Sequence, residues 1–443
     1  MAARGQFSTR IGFILAAAGS AIGLGNVWGF PTNVASNGGA AFVLVYLILA
    51  FLLAYPVLMV ELLVGRHYQS NPVNAYRKLT GNVFGAIVGI IGLLTVSFIL
   101  SFYAIVGGWI VTWCLHYFAM AFGMTDAANW LVTFGNMRNV IFTVIFFVLT
   151  AAIVRNGVSD GIEKWSTRLM PLFFLIIILL IIYVATLDGA GEGFKAYLSP
   201  DFSLITNPDL IINAMGQAFF SLSLAVGTML VYGSYISKKE NIVSLGIWVA
   251  VLDITIAIVA GLLIIPAMYV AQANGVQIYN EAGALISSDG LLFSVLPSLF
   301  ETMTSTAIIV PIAFFSLMII AAVTSSISML EVPVSFAIEN HNLTRNKATL
   351  IIAGSILLIS LIIIFNFGSL FGLVITATTE WSQPLLGLVI SIFAGWLWHR
   401  NNILEEIKEG NPDAASGLFF KIWPWYIKFV CPALIALMFW RSL

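Results

Sequence analysis

A short stretch near the N-terminus contains the residue types best suited to hold a small ligand. Residues 19–31 read Gly-Ser-Ala-Ile-Gly-Leu-Gly-Asn-Val-Trp-Gly-Phe-Pro, so an otherwise apolar segment is interrupted by four glycines, an asparagine and a proline. An unpaired backbone N–H or C=O in the bilayer core costs several kcal/mol, and an interrupted helix therefore persists only where protein or a cavity surrounds it. The stretch predicts a binding site built on a broken helix.

The ends of a broken helix offer both signs of partial charge at one place. The free N–H groups of one half-helix carry about half a positive charge, and the free carbonyls of the other carry about half a negative charge. Because hard cations prefer oxygen ligands, the pattern favours Na⁺ beside a carboxylate or zwitterion, and no cluster of His or Cys indicates a transition metal. Neutral oxygens available to the cation are those of Asn26, Ser221, Thr324 and Ser325. On pattern alone, the last two are equally typical of hydroxyls that bond to a carbonyl of their own helix.

Composition indicates an integral membrane protein. Of 443 residues, 60% are hydrophobic and only 9% are charged, and the mean hydropathy is +1.01. The apolar runs are about 20 residues or longer, which is typical of membrane-spanning helices rather than of barrel strands. The formal charge of −1 offers no basic surface for nucleic acid, and Cys114 and Cys431 give no metal-binding spacing.

Eleven membrane-spanning helices are predicted, with the N-terminus in the cytoplasm and the C-terminus outside. In this arrangement the Lys and Arg residues lie in or beside cytoplasmic segments, apart from Arg138, Lys195 and Arg441, as the positive-inside rule requires. The predicted spans lie near residues 11–35, 40–65, 83–117, 139–155, 168–187, 209–236, 242–271, 304–337, 347–366, 369–398 and 418–441.

The sixth span is also interrupted. Five spans followed by five more place span 6 upside down relative to span 1, and Ser221, Ser223 and Gly227 dilute the apolar run of span 6. Two interrupted helices at matching positions of two halves indicate the midplane site of a secondary transporter. Tight helix packing is the alternative that the pattern leaves open for these small residues, more so in span 6 than in span 1.

Four acidic residues lie inside predicted spans, where each needs a partner or a cavity: Glu61, Asp253, Glu331 and Glu380. Asp253 has no basic residue nearby in its own span, so it is either protonated or neutralised by a cation. Glu61 is expected to accept a structural hydrogen bond from the backbone of a broken helix rather than to contact a substrate. Glu331 and Glu380 are expected near a helix end or a water-filled vestibule, with no chemistry assigned.

Several motifs, in order along nearly the whole chain, resemble the neurotransmitter:sodium symporters and, among them, the short bacterial amino-acid transporters. The motifs are Ala-Gly-Ser-Ala-Ile-Gly-Leu-Gly-Asn-Val-Trp-Gly-Phe-Pro (18–31), Asn-Gly-Gly-Ala-Ala-Phe (37–42), Glu61 to Arg66, Gly-Gln-Ala-Phe-Phe-Ser-Leu-Ser (216–223) and Thr-Ser-Ser-Ile (324–327). The resemblance implies an all-α integral membrane protein with a 5+5 inverted repeat, unwound helices 1 and 6 and one extra C-terminal helix. The first repeat would be residues 1–187, the second 209–398, and 399–443 would hold a cytoplasmic loop and the last helix.

The resemblance also implies specific site residues. The first of two sodium sites would use Ala21, Asn26, Ser221 and Asp253, together with the substrate carboxylate; the second would use Gly19, Ile22, Ala321, Thr324 and Ser325. The substrate would contact Ala21, Leu24, Gly25, Ile99, Tyr103, Phe220, Ser221, Ser223, Val226, Ser326 and Met329. Tyr103 and Phe220 would form the external gate, and Arg4 with Glu339 the internal gate.

Three departures from the family pattern carry further expectations. Gly29 stands where relatives have the arginine of an external ion pair, which leaves Glu380 hydrated, protonated or paired elsewhere. Asp253 stands where relatives commonly have asparagine, close to the chloride of chloride-dependent members, so its carboxylate is expected to replace that anion. Phe7 replaces a cytoplasmic tryptophan.

The function expected from these residues is sodium-coupled symport of a hydrophobic or aromatic amino acid by alternating access in a bacterial plasma membrane, independent of chloride. The expected partners are the amino acid, two sodium ions and the lipid bilayer, with no organic cofactor and no nucleic acid. A transporter of another small amine or zwitterion, or an ion channel, is the alternative. An intramembrane enzyme is disfavoured, because no paired catalytic residues occur in facing spans and the four histidines lie at or near span ends.

Overall fold

The computed structural model describes residues 5–280, 285, 293, 295–302 and 308–442. Over these residues the regular structure is helical, and the one β contact is an isolated antiparallel bridge between Tyr279 and Leu285. The helices are labelled in chain order as α1 (Arg10–Ala21), α2 (Gly25–Ser36), α3 (Ala40–Tyr68), α4 (Pro72–Thr80), α5 (Val83–Ala121), α6 (Thr125–Val132), α7 (Asn136–Val154), α8 (Val158–Ala185), α9 (Ala190–Leu198), α10 (Pro208–Ser221), α11 (Thr228–Gly233), α12 (Ile242–Ala273), α13 (Leu296–Thr302), α14 (Ile309–His341), α15 (Arg345–Phe365), α16 (Phe367–Leu397), α17 (Arg400–Lys408) and α18 (Leu418–Arg441).

The helices reproduce the predicted membrane spans. Within the described residues, nine helices are long and apolar enough to cross a bilayer, and the bent pair α1–α2 makes a tenth span. The eleventh predicted span is present as α10 and α11, two pieces separated by residues 222–227. The all-α, multi-span prediction is therefore confirmed, including the interruption of spans 1 and 6.

Two predicted boundaries differ from the structure. Span 5 was expected from residue 168, but α8 begins at Val158 and continues through the charged residues Lys164 and Arg168. Span 8 was expected from 304, but α14 begins at Ile309, and 303–307 lie outside the described residues. Hydropathy marks the part of a helix that lipid surrounds, whereas backbone hydrogen bonds carry α8 past that limit into its polar first turns.

The first break begins where α1 stops being helical. Thr9 caps the start of α1, because its hydroxyl accepts a hydrogen bond from the backbone N–H of Gly12 at 2.9 Å. After Ala21 the chain becomes extended at Ile22, whose ψ is 93°. The helix resumes as α2 with its axis turned by 55°.

The second break places three residues in the left-handed region. The φ angles are 51° at Ser223, 68° at Ala225 and 81° at Gly227. A non-glycine residue in this region costs roughly 1–3 kcal/mol and persists only where its surroundings hold it there. Such strain concentrates at functional sites, as expected for a binding site at this break.

Side chains from other helices hold the backbone of the second break. The carboxylate of Glu61 on α3 accepts a hydrogen bond from the Gly227 N–H at 3.3 Å, and the amide of Gln383 on α16 donates to the Leu224 carbonyl at 2.9 Å. Glu61 is fully buried. Its predicted structural hydrogen bond to a broken helix is confirmed.

The two breaks lie in the centre of the helix bundle. α1 packs against α8, α12 and α14, and α14 in turn packs most extensively against α5. α14 is the most deeply buried of the spans, whereas α8 and α18 are among the least buried. The interrupted segments are therefore shielded from lipid by the helices around them, which is the condition that their free backbone groups require.

Candidate functional site

A cavity of about 30 Å³ lies between the two breaks. Its size is enough for one or two water molecules, which occupy at least roughly 10–15 Å³ each by the same measure. It is lined by residues of both breaks, of α5, of α14 and of α16: Ala21, Gly23, Leu24, Gly25, Ile99, Tyr103, Phe220, Ser223, Val226, Ser325, Met329 and Gln383.

Most residues expected to contact a substrate meet at this cavity. Nine of the eleven line it, and Ser221 and Ser326 do not. The hydroxyl of Ser326 lies 2.8 Å from that of Thr150 and donates to the Val323 carbonyl. The neighbouring Ser325 lines the cavity in its place.

The backbone of the first break lies close to two aromatic side chains of the cavity. The Leu24 N–H points at the hydroxyl of Tyr103, 3.3 Å away. A Cβ built on Gly23 would lie 2.9 Å from the Tyr103 hydroxyl, and one built on Gly25 would lie 2.9 Å from the Phe220 ring. Glycine is therefore required at both positions for the backbone of the first break to approach these aromatic side chains, and Tyr103 and Phe220 both border the cavity.

Three of the four residues expected to form the first sodium site, Asn26, Ser221 and Asp253, are in mutual contact. The amide nitrogen of Asn26 donates to Asp253 Oδ1 at 2.7 Å and lies 3.0 Å from Ser221 Oγ. The Ser221 hydroxyl donates to Asp253 Oδ2 at 2.8 Å. Asn26 and Asp253 are fully buried, and Ala21 is 2% exposed. The Asp253 carboxylate and the Ser221 hydroxyl offer the oxygen atoms that a hard cation prefers. Asn26 presents its amide nitrogen to both, and its Oδ1 accepts a hydrogen bond from the Gly23 N–H at 3.4 Å.

The second predicted set lies where α1 approaches α14. A Cβ built on Gly19 would lie 3.1 Å from Thr324 Cβ. Ile22 on the α1 side and Ala321 on α14 are both fully buried. The Thr324 hydroxyl donates to the Ile320 carbonyl at 2.9 Å and approaches that of Ala321 at 3.2 Å. Donation uses only the proton of a hydroxyl, so the oxygen lone pairs of Thr324 remain available to a cation.

Neutral side chains connect spans 1 and 6 beside Gly29. Asn33 donates to Gln217 Oε1 at 3.0 Å, and Gln217 donates to the Gly25 carbonyl at 2.8 Å. Glu380 is exposed, and Thr376 donates to it at 3.3 Å.

Of the two residues expected to form the internal gate, only Glu339 lies within the described residues. The carboxylate of Glu339 accepts hydrogen bonds from Ser70 Oγ at 2.9 Å and from the amide nitrogen of Asn71 at 2.8 Å. Arg4, its expected partner, lies outside the described residues. Phe7, which replaces the usual tryptophan, donates its backbone N–H to the Tyr235 carbonyl at 3.2 Å and packs edge-on against the Tyr235 ring.

A buried network around Glu331 was missed by sequence reasoning. Glu331 is fully buried, accepts a hydrogen bond from the Tyr235 hydroxyl at 2.6 Å and pairs with Arg345. Arg345 also donates to the Val154 carbonyl at 2.8 Å. Arg345 starts the following span, so a search for a basic residue within the helix of Glu331 could not find it.

A further ion pair joins α3 to the short helix α17. The buried guanidinium of Arg66 lies 2.6 Å from Glu406, and the imidazole of His67 lies 3.0 Å from the same carboxylate. Burial alone would raise the pKa of Glu406, but the hydrogen bond from His67 and the charge of Arg66 outweigh it and hold that pKa below its usual value. Nothing in the local sequence of α17 indicates a partner 340 residues away.

Comparison with known proteins decides the family. The model of the sodium:neurotransmitter symporter family matches residues 4–138 and 128–443, which together span almost the whole chain. The chain belongs to this family. The fold is therefore that of a sodium-dependent membrane transporter, and sodium and a small molecule are its binding partners.

Similar proteins support this membership of the sodium:neurotransmitter symporter family. An uncharacterized sodium-dependent transporter of Bacillus subtilis (strain 168), YhdH, is 33% identical over 98% of this chain and 96% of its own length. The crystal structure of MhsT in complex with L-phenylalanine matches with a TM-score of 0.85 and 33% identity, and covers 100% of both chains. The sodium- and chloride-dependent taurine transporter of Homo sapiens is 27% identical over 66% of this chain and 54% of its own length.

Proposed function

We propose that this chain is a chloride-independent symporter that uses two sodium ions to import a hydrophobic or aromatic amino acid. The observation that carries the proposal is the buried contact among Asn26, Ser221 and Asp253, which joins both broken helices to α12 next to the cavity. One bound cation at this point would hold both breaks together. The expected alternative, another small amine or zwitterion on the same fold, is tested by the same experiment.

The first sodium ion would bind to the Asp253 carboxylate, the Asn26 and Ser221 side-chain oxygens and the Ala21 carbonyl. Ala21 also lines the cavity, so this ion would lie beside the substrate. The carboxylate of an amino acid bound at Leu24 would then complete the coordination. Substrate and ion would each raise the affinity for the other, which is reciprocal coupling between two sites.

A carboxylate that belongs to the protein supports chloride independence. Tyr46 places its hydroxyl 3.3 Å from Ser221 Oγ, and Ser221 in turn bonds to Asp253. In chloride-dependent relatives an anion is expected beside the equivalents of these residues. Asp253 would supply that negative charge permanently, and a second anion in the same buried space would be repelled.

The remaining cavity walls support an apolar side chain. Ile99, Phe220, Val226 and Met329 surround the space beyond the two glycine contacts, and MhsT, a similar protein, has been crystallised with L-phenylalanine. Burial of apolar surface contributes about 25 cal/mol per Å², so a larger hydrophobic side chain would bind more tightly as long as it fits.

Transport would follow alternating access. Spans 1, 2, 6 and 7 would rock against spans 3, 4, 5, 8, 9 and 10, with residues 1–187 and 209–398 as the two inverted repeats and 399–443 as the appended loop and helix. The protein would lie in the bacterial plasma membrane with its N-terminus inside and its C-terminus outside. Two sodium ions crossing 100 mV release about 4.6 kcal/mol, enough for a roughly 2,000-fold solute gradient.

Uptake into proteoliposomes tests the proposal. Labelled phenylalanine and leucine are expected to accumulate only under an inward sodium gradient, and a panel of twenty unlabelled amino acids should compete according to hydrophobic size. Accumulation without sodium would contradict symport. Competition by small amines but not by hydrophobic amino acids would favour the alternative substrate class, and unsaturable flux would indicate a channel.

A further inference from the structure

A second cavity, of about 230 Å³, lies between the end of α16 and the first turns of α18. The two helices touch closely at Gly395, where an added Cβ would lie 2.6 Å from the Cα atom of Lys428. Beside this contact the cavity is bordered by Trp398 and Arg400 from the α16 side and by Trp425 from α18. The residues of the proposed transport site take no part in it.

The second cavity holds two cations and an indole donor. Lys428 Nζ lies 4.3 Å above the Trp396 ring, and the Arg400 guanidinium lies 4.8 Å above the Phe420 ring. In the part of the chain that the structure describes, neither cation forms an ion pair with a carboxylate. Trp398 is 5% exposed, and its indole N–H has no acceptor. Such a site attracts an anion with several oxygen acceptors.

The surroundings indicate a membrane interface. Trp396 and Trp425 are 56% and 57% exposed, although both are large aromatic residues. Exposed tryptophans are typical of the level of lipid headgroups, and basic pockets between spans on the cytoplasmic side bind anionic headgroups. We propose that this cavity binds the phosphate of an anionic phospholipid of the cytoplasmic leaflet, which rests on the proposed orientation of the chain.

Native mass spectrometry of the purified full chain tests this site. Phosphatidylglycerol is expected to remain bound at least about 10-fold more than phosphatidylcholine. The double substitution Arg400→Gln with Lys428→Gln should remove that preference. Lys421→Gln, which changes an exposed lysine of α18 outside the cavity, should keep it. Thermal unfolding of each variant without lipid separates loss of the site from loss of the fold.

Four outcomes would overturn the lipid site. The first is equal retention of both lipids by the unchanged chain, and the second is retained preference in the double variant. The third is an equal loss of preference in Lys421→Gln, which would indicate an effect of general surface charge. The fourth is displacement of phosphatidylglycerol by millimolar inorganic phosphate. The last result would identify a site for free phosphate rather than for a lipid headgroup.

A different observation concerns the transport cavity itself. Gln383 on α16 is 3% exposed and lines that cavity. Its amide nitrogen is fixed by the Leu224 carbonyl, so the opposite orientation of the amide would bring two oxygens together. Its oxygen, Oε1, is buried and has no hydrogen-bond partner in the described part of the chain. A buried acceptor left unpaired is unfavourable, and a bound donor would relieve that.

The two serine hydroxyls that line the same cavity do not supply the donor. Ser223 Oγ donates to the Ser20 carbonyl at 3.2 Å, and Ser325 is in contact with Tyr103. We infer that Gln383 is a specificity residue that accepts a hydrogen bond from the side chain of the substrate. The inference rests on the proposed amino-acid transport and adds that, at equal size, a side chain with an O–H or N–H donor is preferred.

Isosteric substrate pairs test this residue. In the unchanged chain, tyrosine should compete better than phenylalanine, and threonine better than valine, by at least about 10-fold in the pair that fits the pocket. Gln383→Met should bring that ratio to about 1. Because it also removes the hydrogen bond to the Leu224 carbonyl, uptake of both members is expected to fall, and the ratio is the readout. The control is Ser391→Ala. It removes a buried hydroxyl of α16 that lies outside the cavity and has no hydrogen-bond partner among the described residues, and it should leave the ratio unchanged.

The outcomes separate this inference from the proposed transport. Ratios near 1 in the unchanged chain, or an equal loss of all substrates in Gln383→Met, would overturn the specificity role and leave sodium-coupled uptake intact. A complete absence of sodium-dependent amino-acid uptake in the unchanged chain would instead contradict the proposed function.

Discussion

The two regions proposed to bind sodium are built from different chemistry. The first brings together a carboxylate, an amide and a hydroxyl from spans 7, 1 and 6, and these side chains hydrogen-bond to one another. The second consists of carbonyls and the hydroxyls of Thr324 and Ser325, and Thr324 is already bonded within its own helix. An ionised Asp253 would give the first region a full negative charge, whereas the second region would carry only dipoles.

This difference assigns different tasks to the two regions. A buried charge needs a counterion, so the first region would depend strongly on sodium and would pass that dependence to the substrate beside it. Dipoles do not need a counterion, so the second region would bind sodium more weakly and would hold α1 against α14. Substitutions in the two regions should therefore change sodium affinity to different degrees.

The largest effect is expected from Asp253→Asn. This change removes the only carboxylate of the first region and should raise the sodium concentration for half-maximal uptake by roughly 100-fold or more, because an uncompensated buried charge costs about 3–5 kcal/mol. Added chloride should restore part of the affinity by supplying the missing charge. Sodium titrations of uptake with and without chloride measure both effects.

A matched control for that variant is Thr255→Val, which changes an exposed polar residue of the same helix. It should leave sodium affinity unchanged. If Asp253→Asn kept normal sodium affinity in chloride-free buffer, the charge of the first region would have no role in binding.

Asn26→Ala is expected to have the next largest effect. The amide of Asn26 joins span 1 to Asp253 and Ser221, and its loss leaves the carboxylate with a single hydrogen-bond donor among the described residues. Sodium-stimulated binding of substrate should be abolished while the protein still folds. Equilibrium binding of labelled amino acid, with gel filtration as a check of folding, measures this; unchanged affinity would place the first sodium site elsewhere.

A smaller effect is expected from Thr324→Val in the second region. Valine keeps the shape of threonine and removes one neutral oxygen, so sodium affinity should fall by about 3- to 10-fold, in line with the roughly 0.5–1.5 kcal/mol of one neutral polar contact. Chloride should have no influence on this variant. A loss as large as that of Asp253→Asn would show that the two regions do not differ as proposed.

The smallest effect is expected from Ser223→Ala. The hydroxyl of Ser223 donates to the Ser20 carbonyl and so connects the two breaks without contacting Asp253. Maximal uptake should decrease by about 2- to 5-fold, the effect of one hydrogen bond, with sodium affinity nearly unchanged. A shift in sodium affinity larger than that of Thr324→Val would move Ser223 into the first region.

The sequence predicted the spans and both breaks because lipid imposes a simple rule on composition. A run of apolar residues is visible in any single chain, and glycine, asparagine and proline at 19–31 are visible against it. This rule fails where a helix leaves the lipid, which is why the start of α8 was placed roughly three helical turns too late. Polar first turns are held by backbone hydrogen bonds that hydropathy does not register.

Side-chain partners were predictable only where a motif pointed to them. Of the eleven substrate positions that the resemblance implied, nine meet at the cavity. It did not imply Gln383, because a single glutamine in the sequence does not reveal which neighbour its side chain faces. The pairs Glu331 with Arg345 and Arg66 with Glu406 connect separate helices. Their contacts depend on tertiary packing, which no local pattern contains.

The most direct test of the account is sodium-driven uptake by the unchanged chain after chloride is replaced with gluconate. Asp253, buried and bonded to both broken helices, would supply the negative charge that an anion supplies elsewhere in the family. The rate and the sodium affinity should therefore stay the same. A severalfold fall on removal of chloride would contradict the account, because it would show that the Asp253 carboxylate does not take the place of the anion.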